Sequence, residues 1–450
     1  VSLGPSRLVL ALMPLIVGVA CGDGARPSGG AAPAAEDVLE NAPAPENPPE
    51  TAPAPEAARA PDSTPLPLPV GEGPSLWQAP AHPASWKPKR LHPQSKKARW
   101  QPAWVQTHPY HRVEPLALAW RGPDELLARG AFELRDAMMR YDGQGRLLAT
   151  MDLSGIDIAG CKAGSPVVAS GLVSLAVGDE GWFATTIHCM NDRYALLIFD
   201  HDGRLTASLA LGPGTTTKLL ALGRRLFVLT RDLSANLGEL VAYDLDGHAR
   251  WRRSFAFAPR VLSAWADAVV VDEDLRRLIS LDIDTGDERG TFDVDGIWMA
   301  AVAIDGGPRA GQLVVFGSAP LVLGAPTNED EPQTTLRFLS STGETLLSER
   351  TVALPPAISS WNAASASPSG AMLAMTAVPF ELVVLDSEGE LLGSVSSGLL
   401  AFAAVELEGR LRIALSRRSN PELHNFRDDL PEVGPASEPL IIGEFALASP

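Results

Sequence analysis

Cysteine is scarce in this chain: three thiols in 450 residues are too few to staple a small fold together, which excludes a disulfide framework as the main source of stability. Positive charge is short as well. The 37 Lys and Arg stand against 54 Asp and Glu, a net charge of −17 that excludes a nucleic-acid binder working through a basic face. Several motifs of familiar chemistry are missing: there is no G-x-S-x-G elbow, H-E-x-x-H, P-loop or dinucleotide fingerprint. Neither the glycine period of collagen nor the composition of a polytopic membrane protein is present. What abounds is turn-forming residues, with 40 Gly and 39 Pro, so loops and turns dominate over long helices.

The first 21 residues, VSLGPSRLVLALMPLIVGVAC, place one cation, Arg7, before an apolar run from Leu8 to Ala20. As a helix that run rises only about 20 Å, short of the ~30 Å hydrocarbon core, so it reads as a cleavable signal peptide over residues 1–20 rather than a membrane span. Val19, Ala20 and Cys21 resemble the lipobox of bacterial lipoproteins, with Gly18 where Leu is usual. The resemblance implies lipidation of Cys21 and anchoring to a membrane, and Gly22 after the Cys favours the outer membrane. Ordinary secretion and a retained anchor are the other readings.

Residues 21–75 form an Ala-, Pro- and Glu-rich tether. From residue 22 to 75 there are 13 Pro, nine acids and two Arg, leaving little apolar surface to offset the entropy of ordering. In polyproline II form it reaches on the order of 150 Å. The charge then reverses. Residues 76–113 make a basic arm with Lys87, Lys89, Arg90, Lys96, Lys97, Arg99 and Arg112, interleaved with Trp77, Trp86, Trp100 and Trp104. It could dock on an anionic surface or on the acidic body of its own chain. It could equally be a solvated connector whose tryptophans pack on the domain edge.

From residue 114 to 450 one unit recurs: an apolar run, an acidic residue, a Gly turn and a second short run. Six copies centre on Gly145, Gly203, Gly247, Gly286, Gly343 and Gly389, at intervals of 58, 44, 39, 57 and 46 residues. A β-patterned unit of this length is the mark of a propeller, one four-stranded blade per copy. Asp caps each tight turn with its side-chain oxygen and Gly supplies the positive φ of a hairpin between twisted strands. A calcium loop needs a longer carboxylate ladder, so no metal site is expected at these turns. After the sixth copy, LLAFAAVEL, GRLRIALSR and PLIIGEFAL supply three more strands, one short of a blade. WQPAWVQ, residues 100–106, is the expected fourth and would close the ring. Pro102 restricts it to an outer edge.

In the third copy, AYDLDGHARW, the residues Ala242, Asp244, Gly247 and Trp251 resemble the blade motif of PQQ-type β-propellers, a family with non-enzymatic lipoprotein members in the outer-membrane barrel-assembly machinery. The turn from Asp244 to Gly247 is one residue short of the family's, whereas Asp282 to Gly286 has its length but carries Gly290 at the docking-Trp position. The resemblance implies architecture far more than function.

A quinone-dependent enzyme of that family would carry a vicinal Cys pair and many docking tryptophans, and the sequence has neither. Cys161 and Cys189 lie 28 apart, on loops expected at one face, and form a candidate disulfide; two separate buried thiols are the alternative. His108 and His111 lack the neighbouring carboxylates or thiols of a metal site. The long connections, residues 152–170, 319–333 and 417–438, gather on one face, where binding sites on rigid rings concentrate.

The sequence thus points to an all-β fold, a β-propeller of seven four-stranded blades with six to eight open, behind a signal peptide and a disordered linker. The signal segment's one Arg, the tether's −7 and the arm's +7 leave −18 on residues 114–450, against any nucleic-acid partner. The function it supports is a non-enzymatic binding or scaffold module, without cofactor, on an extracytoplasmic lipoprotein of the bacterial cell envelope. Its partner would be an envelope protein or a glycan. No residue is nominated as catalytic. A propeller-type hydrolase, lyase or dehydrogenase acting on an exported substrate and a structural spacer remain as alternatives.

Overall fold

The computed structural model describes residues 73–79, 100–107 and 113–447, the last with interruptions, of which the longest are 157–173, 319–332 and 418–439. The signal segment, Cys21, most of the tether and the cations of the arm lie outside the described residues, as do Gly343 and Cys161. The protein is an all-β propeller of four-stranded antiparallel blades. Among the described residues the one helical element is the short turn Gly307–Arg309, and no helix is long and apolar enough to cross a membrane.

Six blades are each built from four strands consecutive in sequence, one blade per repeat copy. The first blade comprises Val113–Trp120, Glu125–Phe132, Arg135–Asp142 and Leu147–Asp152. The second comprises Leu175–Val177, Phe183–His188, Arg193–Phe199 and Leu205–Pro213. The third has Lys218–Leu222, Arg225–Asp232, Leu237–Tyr243 and Ala249–Phe255, and the fourth Leu262–Trp265, Ala268–Asp272, Arg277–Asp282 and Glu288–Asp293. The fifth runs from Ile297–Ala303 to Leu346–Ala353 and the sixth from Trp361–Ala366 to Leu391–Ser396. Along most of the ring the first strands of successive blades lie beside one another, which makes them the inner strands.

The six repeats therefore yield six contiguous blades, and the seventh expected from the strand count is not a seventh repeat. It is a composite four-stranded sheet in which Trp100–Thr107 pairs with Leu440–Leu447, followed by Arg410–Arg417 and Leu399–Leu407. Pro102 sits on the outer edge strand, where the register shifts between Pro102 and Trp104, so its missing N–H interrupts no interior ladder. The composite sheet is fastened to the first blade. Trp120 Nε1 donates to the Ala403 carbonyl at 3.1 Å, and Arg412 reaches the Pro123 carbonyl at 2.6 Å. Leu118, Leu126, Met139 and Tyr141 of the first blade share a core with Ala403, Ala414, Leu440 and Ile442.

Blade packing explains why the strands read as continuous apolar runs. In Arg225–Asp232, Leu226 and Val228 pack toward the second blade, while Phe227 and Leu229 pack toward the fourth. Successive side chains point to opposite faces, and both faces are buried between neighbours, so no polar alternation is called for. Each such fully buried side chain contributes about 1.5–3 kcal/mol of transfer free energy.

The hairpins between third and fourth strands of blades one, three, four and six follow one design. Asp142, Asp244, Asp282 and Asp386 each accept two backbone N–H bonds from the residues that follow, for Asp244 those of Asp246 at 3.1 Å and His248 at 2.8 Å. Gly145, Gly203, Gly247, Gly286 and Gly389 have φ between 75° and 83°, the conformation that costs glycine least. Trp251 links two of these units. Its indole lies over Gly286 of the next blade, where an added Cβ would sit 2.6 Å from the ring, and its Nε1 donates to Ile283 O at 3.1 Å.

Candidate binding face

Because the strands alternate in direction, the short Asp–Gly turns occupy one face of the ring. The connections into each blade and those between second and third strands occupy the other. The strand ends that flank the long loops expected to carry binding lie on this second face, and residues 157–170, 319–332 and 418–438 of those loops lie outside the described residues. Cys189 is on the same side, directly after Phe183–His188; it is fully buried and disulfide-bonded. Its expected partner, Cys161, is among the residues not described.

Two of the charged groups described on this face lie at blade junctions with one or more buried members, and they differ in kind. The first joins blades one and two. Arg129, 2% exposed, donates from Nη2 to Asp136 Oδ2 at 2.7 Å and to the Thr186 carbonyl at 3.4 Å, and from Nη1 to the Gly130 carbonyl at 3.2 Å. One guanidinium meets one carboxylate within blade one across two oxygens and leaves no net charge, and its contact with the Thr186 carbonyl is the tie to blade two.

The second group lies between blades three and four. Lys218 opens the inner strand of blade three, and Arg231 stands near the end of that blade's second strand. Arg260 lies just before the inner strand of blade four, and Asp272 ends that blade's second strand. The Asp272 carboxylate is buried and accepts the backbone N–H of both Arg260 and Val261 at 2.6 Å, thereby shaping the entry to blade four. Burial pushes it up to about 6, against the pull of those amides and of Lys218. Burial likewise pushes Lys218 down to about 8, with Asp272 opposing and Arg231 adding to the shift. The Lys218 ammonium donates to the Arg260 carbonyl. Arg231 is lowered by burial and then by the nearby Arg260 guanidinium, and its Nε is buried without a hydrogen-bond partner. All three cations keep part of their surface open to solvent. The described inner strands otherwise carry two acids, Glu114 and Glu406, and are largely Ala, Leu, Val and Trp.

The sequence reading did not single out this cluster. Its four members come from four separate segments, each charged residue at the end of a short apolar run, and only the blade-to-blade packing brings them together.

The turn residues predicted as structural are found at the opposite face. Asp244, Asp246 and His248 bring ligand atoms within 4.8 Å of one another, a grouping open to a cation in principle. Asp244 Oδ1 is already engaged by two amides, however, and its Oδ2 lies 2.8 Å from the Arg250 guanidinium. That pattern is a capped hairpin with its own counter-ion.

The start of the arm is fastened to the rim on the turn side. Gln78 exchanges backbone hydrogen bonds with Thr150, at 2.8 and 2.9 Å, along the outer strand of blade one. Leu76 N donates to Gly203 O at 3.1 Å and Ser75 Oγ to Asp202 O at 2.6 Å, in the turn of blade two. Between them Trp77 packs on Phe183, ring centroids 5.8 Å apart, under the Arg140 guanidinium at 5.7 Å.

No family model matches the chain, and no curated protein is similar enough to count as a relative. The β-propeller architecture stands on the structure. The narrower likeness to PQQ-type propellers and their lipoprotein members has no support from these comparisons.

Proposed function

We propose that the protein is a lipid-anchored, extracytoplasmic lipoprotein of the bacterial cell envelope, and that its propeller is a non-enzymatic binding or scaffold module for an envelope partner. The observation that carries the binding role is the division of labour between the two faces. The start of the arm is held at the rim beside the short turns, while the strand ends that flank the long loops, and the solvent-accessible cations of blades three and four, lie on the opposite face. A chain fastened at residues 75–78 on the turn side leaves the loop side free for a partner. In this reading the composite sheet is the seventh blade and closes the ring, Cys161 is the disulfide partner of Cys189, and the anchor is a lipid on Cys21. The signal segment, the lipobox-like Val19 and Ala20 and the Pro-rich composition of the tether support the anchor.

The test is metabolic labelling with a fatty acid, combined with crosslinking in intact cells, for the native chain and a Cys21→Ser variant. The native protein should carry label, sediment with membranes and crosslink reproducibly to a defined envelope component. The variant should lose label and sedimentation. A native chain without label overturns the anchor, and a native chain with no crosslink above background overturns the scaffold role.

A further inference from the structure

The stretch Pro65, Leu66, Pro67, Leu68, Pro69, Val70 sets proline at every second position. In an extended strand the N–H and C=O of residues two apart point to one side, and those of the residues between them to the other. The three positions without an N–H therefore share one side, and Leu66, Leu68 and Val70 offer a complete row of donors and acceptors to the other. Such a segment can pair along one side only, as the last strand of a sheet. Each proline also biases the residue before it toward extended backbone, which prepares Leu66 and Leu68 for that role.

The outer strands of the blades differ in what they offer a further strand. Arg250, Arg252 and Arg253 line that of blade three, Glu288, Arg289 and Asp293 that of blade four, and Glu349 and Arg350 stand in that of blade five. The outer strand of the composite sheet carries Pro102 and a register shift, and that of blade one already pairs with Gln78 at Thr150. The outer strand of blade two, Leu205–Pro213, has no charged residue, and its one proline is its last residue. Among the described residues it pairs with Arg193–Phe199 and with nothing on its other side. The uncharged outer strand of blade six, Leu391–Ser396, is shorter and lies four blades on.

The described chain also begins beside this edge. Ser75 Oγ donates to Asp202 O at 2.6 Å and Leu76 N to Gly203 O at 3.1 Å, in the turn that leads directly into Leu205. Gly71, Glu72, Gly73 and Pro74 separate Val70 from that fastening, a run suited to turning the chain. Six extended residues span about 20 Å, comparable to the length of Leu205–Leu211.

We infer that residues 65–70 of the same chain dock on the outer edge of blade two as a fifth, terminal strand. The pairing continues the fastening at residues 75–78 without a break, and the prolines close the sheet to any further strand. Leu66, Leu68 and Val70, alternate along their strand, match the alternate Ala207, Leu209 and Leu211, which are buried against blade three. The docking goes beyond the binding role proposed for the loop face and is independent of it.

The experiment is hydrogen exchange of the purified full chain, read at the amides of residues 205–211. The test variant is Leu66→Pro with Leu68→Pro, which removes donors from the pairing side. Pro67→Ala with Pro69→Ala, which leaves that side intact, is the control. In the native chain and the control, alternate amides of 205–211 beyond those bonded to Arg193–Phe199 should be protected, and in the test variant they should exchange roughly tenfold or more faster. The Thr150 amide, bonded to Gln78 O at 2.9 Å, should exchange alike in all three, showing that the fastening and the blades are intact. Equal exchange at 205–211 in all three chains overturns the docking. Loss of protection in both variants overturns the one-sided pairing that defines it. Native protection that disappears on dilution assigns the edge to a second copy of the chain and overturns the internal occupant.

Discussion

The Trp77 indole lies directly over Gly203, in the place where a side chain on any other residue would project. Gly203 has φ of 77°, and its absent Cβ would collide with the indole and sit 3.1 Å from Met151 Cε. The relation repeats the one between Trp251 and Gly286, except that here the ring is delivered by the arm and not by a blade's own outer strand.

Trp77→Ala should therefore detach the start of the arm. A half-buried Trp lost from such a seat is expected to lower stability by about 1–2 kcal/mol, less than for a fully buried ring. Limited proteolysis should then cut near residues 73–79 faster than in the native chain. Gly203→Ala should give the same proteolytic phenotype through strain and clash, at about 1–2 kcal/mol. Unchanged cleavage in both would show that the latch does not hold the arm.

Trp251→Ala removes the indole from Gly286 and the hydrogen bond to Ile283. The expected loss is about 2–3 kcal/mol, measured by chemical denaturation. Trp251→Phe keeps the ring over the glycine and should recover more than half of it.

Arg129 and Asp136 form a buried pair, so removing one partner strands the other's charge. Asp136→Asn is expected to destabilise by about 3 kcal/mol, and the double change Arg129→Met with Asp136→Leu should restore most of the loss. A double variant no better than the single would mean that the carbonyl contacts of Arg129, among them the one to Thr186 of blade two, and not its charge pairing, carry the stabilisation.

The Lys218 and Asp272 pair gives stability a characteristic pH profile. An unfolded Asp titrates near ~3.9 and an unfolded Lys near ~10.4. With Asp272 held at about 6, the folded chain binds the extra proton between those values, so this group makes stability fall as pH rises from about 4 to 6. With Lys218 at about 8, the unfolded chain binds the extra proton above that value, so stability rises as pH climbs from about 8 toward 10. Denaturation midpoints across pH should show Asp272→Asn flattening the first slope and Lys218→Met the second. Slopes unaltered by either change would contradict the assignment.

Much of this architecture was legible in the sequence because its causes are local. Asp142, Asp244, Asp282 and Asp386 shape their own turns within four residues, and the glycines beside them need only their own φ. The composite sheet was legible from strand arithmetic, with three strands after the last repeat and one before the first. The seat of Trp77 was not legible, since the docking tryptophan of a blade is sought on that blade and this one arrives from more than a hundred residues upstream of Gly203. The cation cluster was hidden for a similar reason. Lys218, Arg231, Arg260 and Asp272 carry no spacing rule that a single strand would reveal.

Deleting residues through Thr107 should expose the edge of Leu440–Leu447. The truncated chain is expected to associate through that edge, seen as larger species in size-exclusion chromatography, while the chain that begins at residue 73 stays monomeric.

The pairing of Trp100–Thr107 with Leu440–Leu447 spans more than three hundred residues, and it dictates an order of events. Bringing the ends of so long a loop together carries an entropic penalty that grows only slowly with length, but it is met in one step when the last strand arrives. Hairpins within blades can form as soon as their strands are available, whereas this contact must wait for the carboxy-terminal strand. A chain delivered from its amino end would therefore pass through a stage in which the strand bearing Trp100 waits unpaired while the other blades assemble. Folding of the ring is in this sense timed by the arrival of Leu440–Leu447.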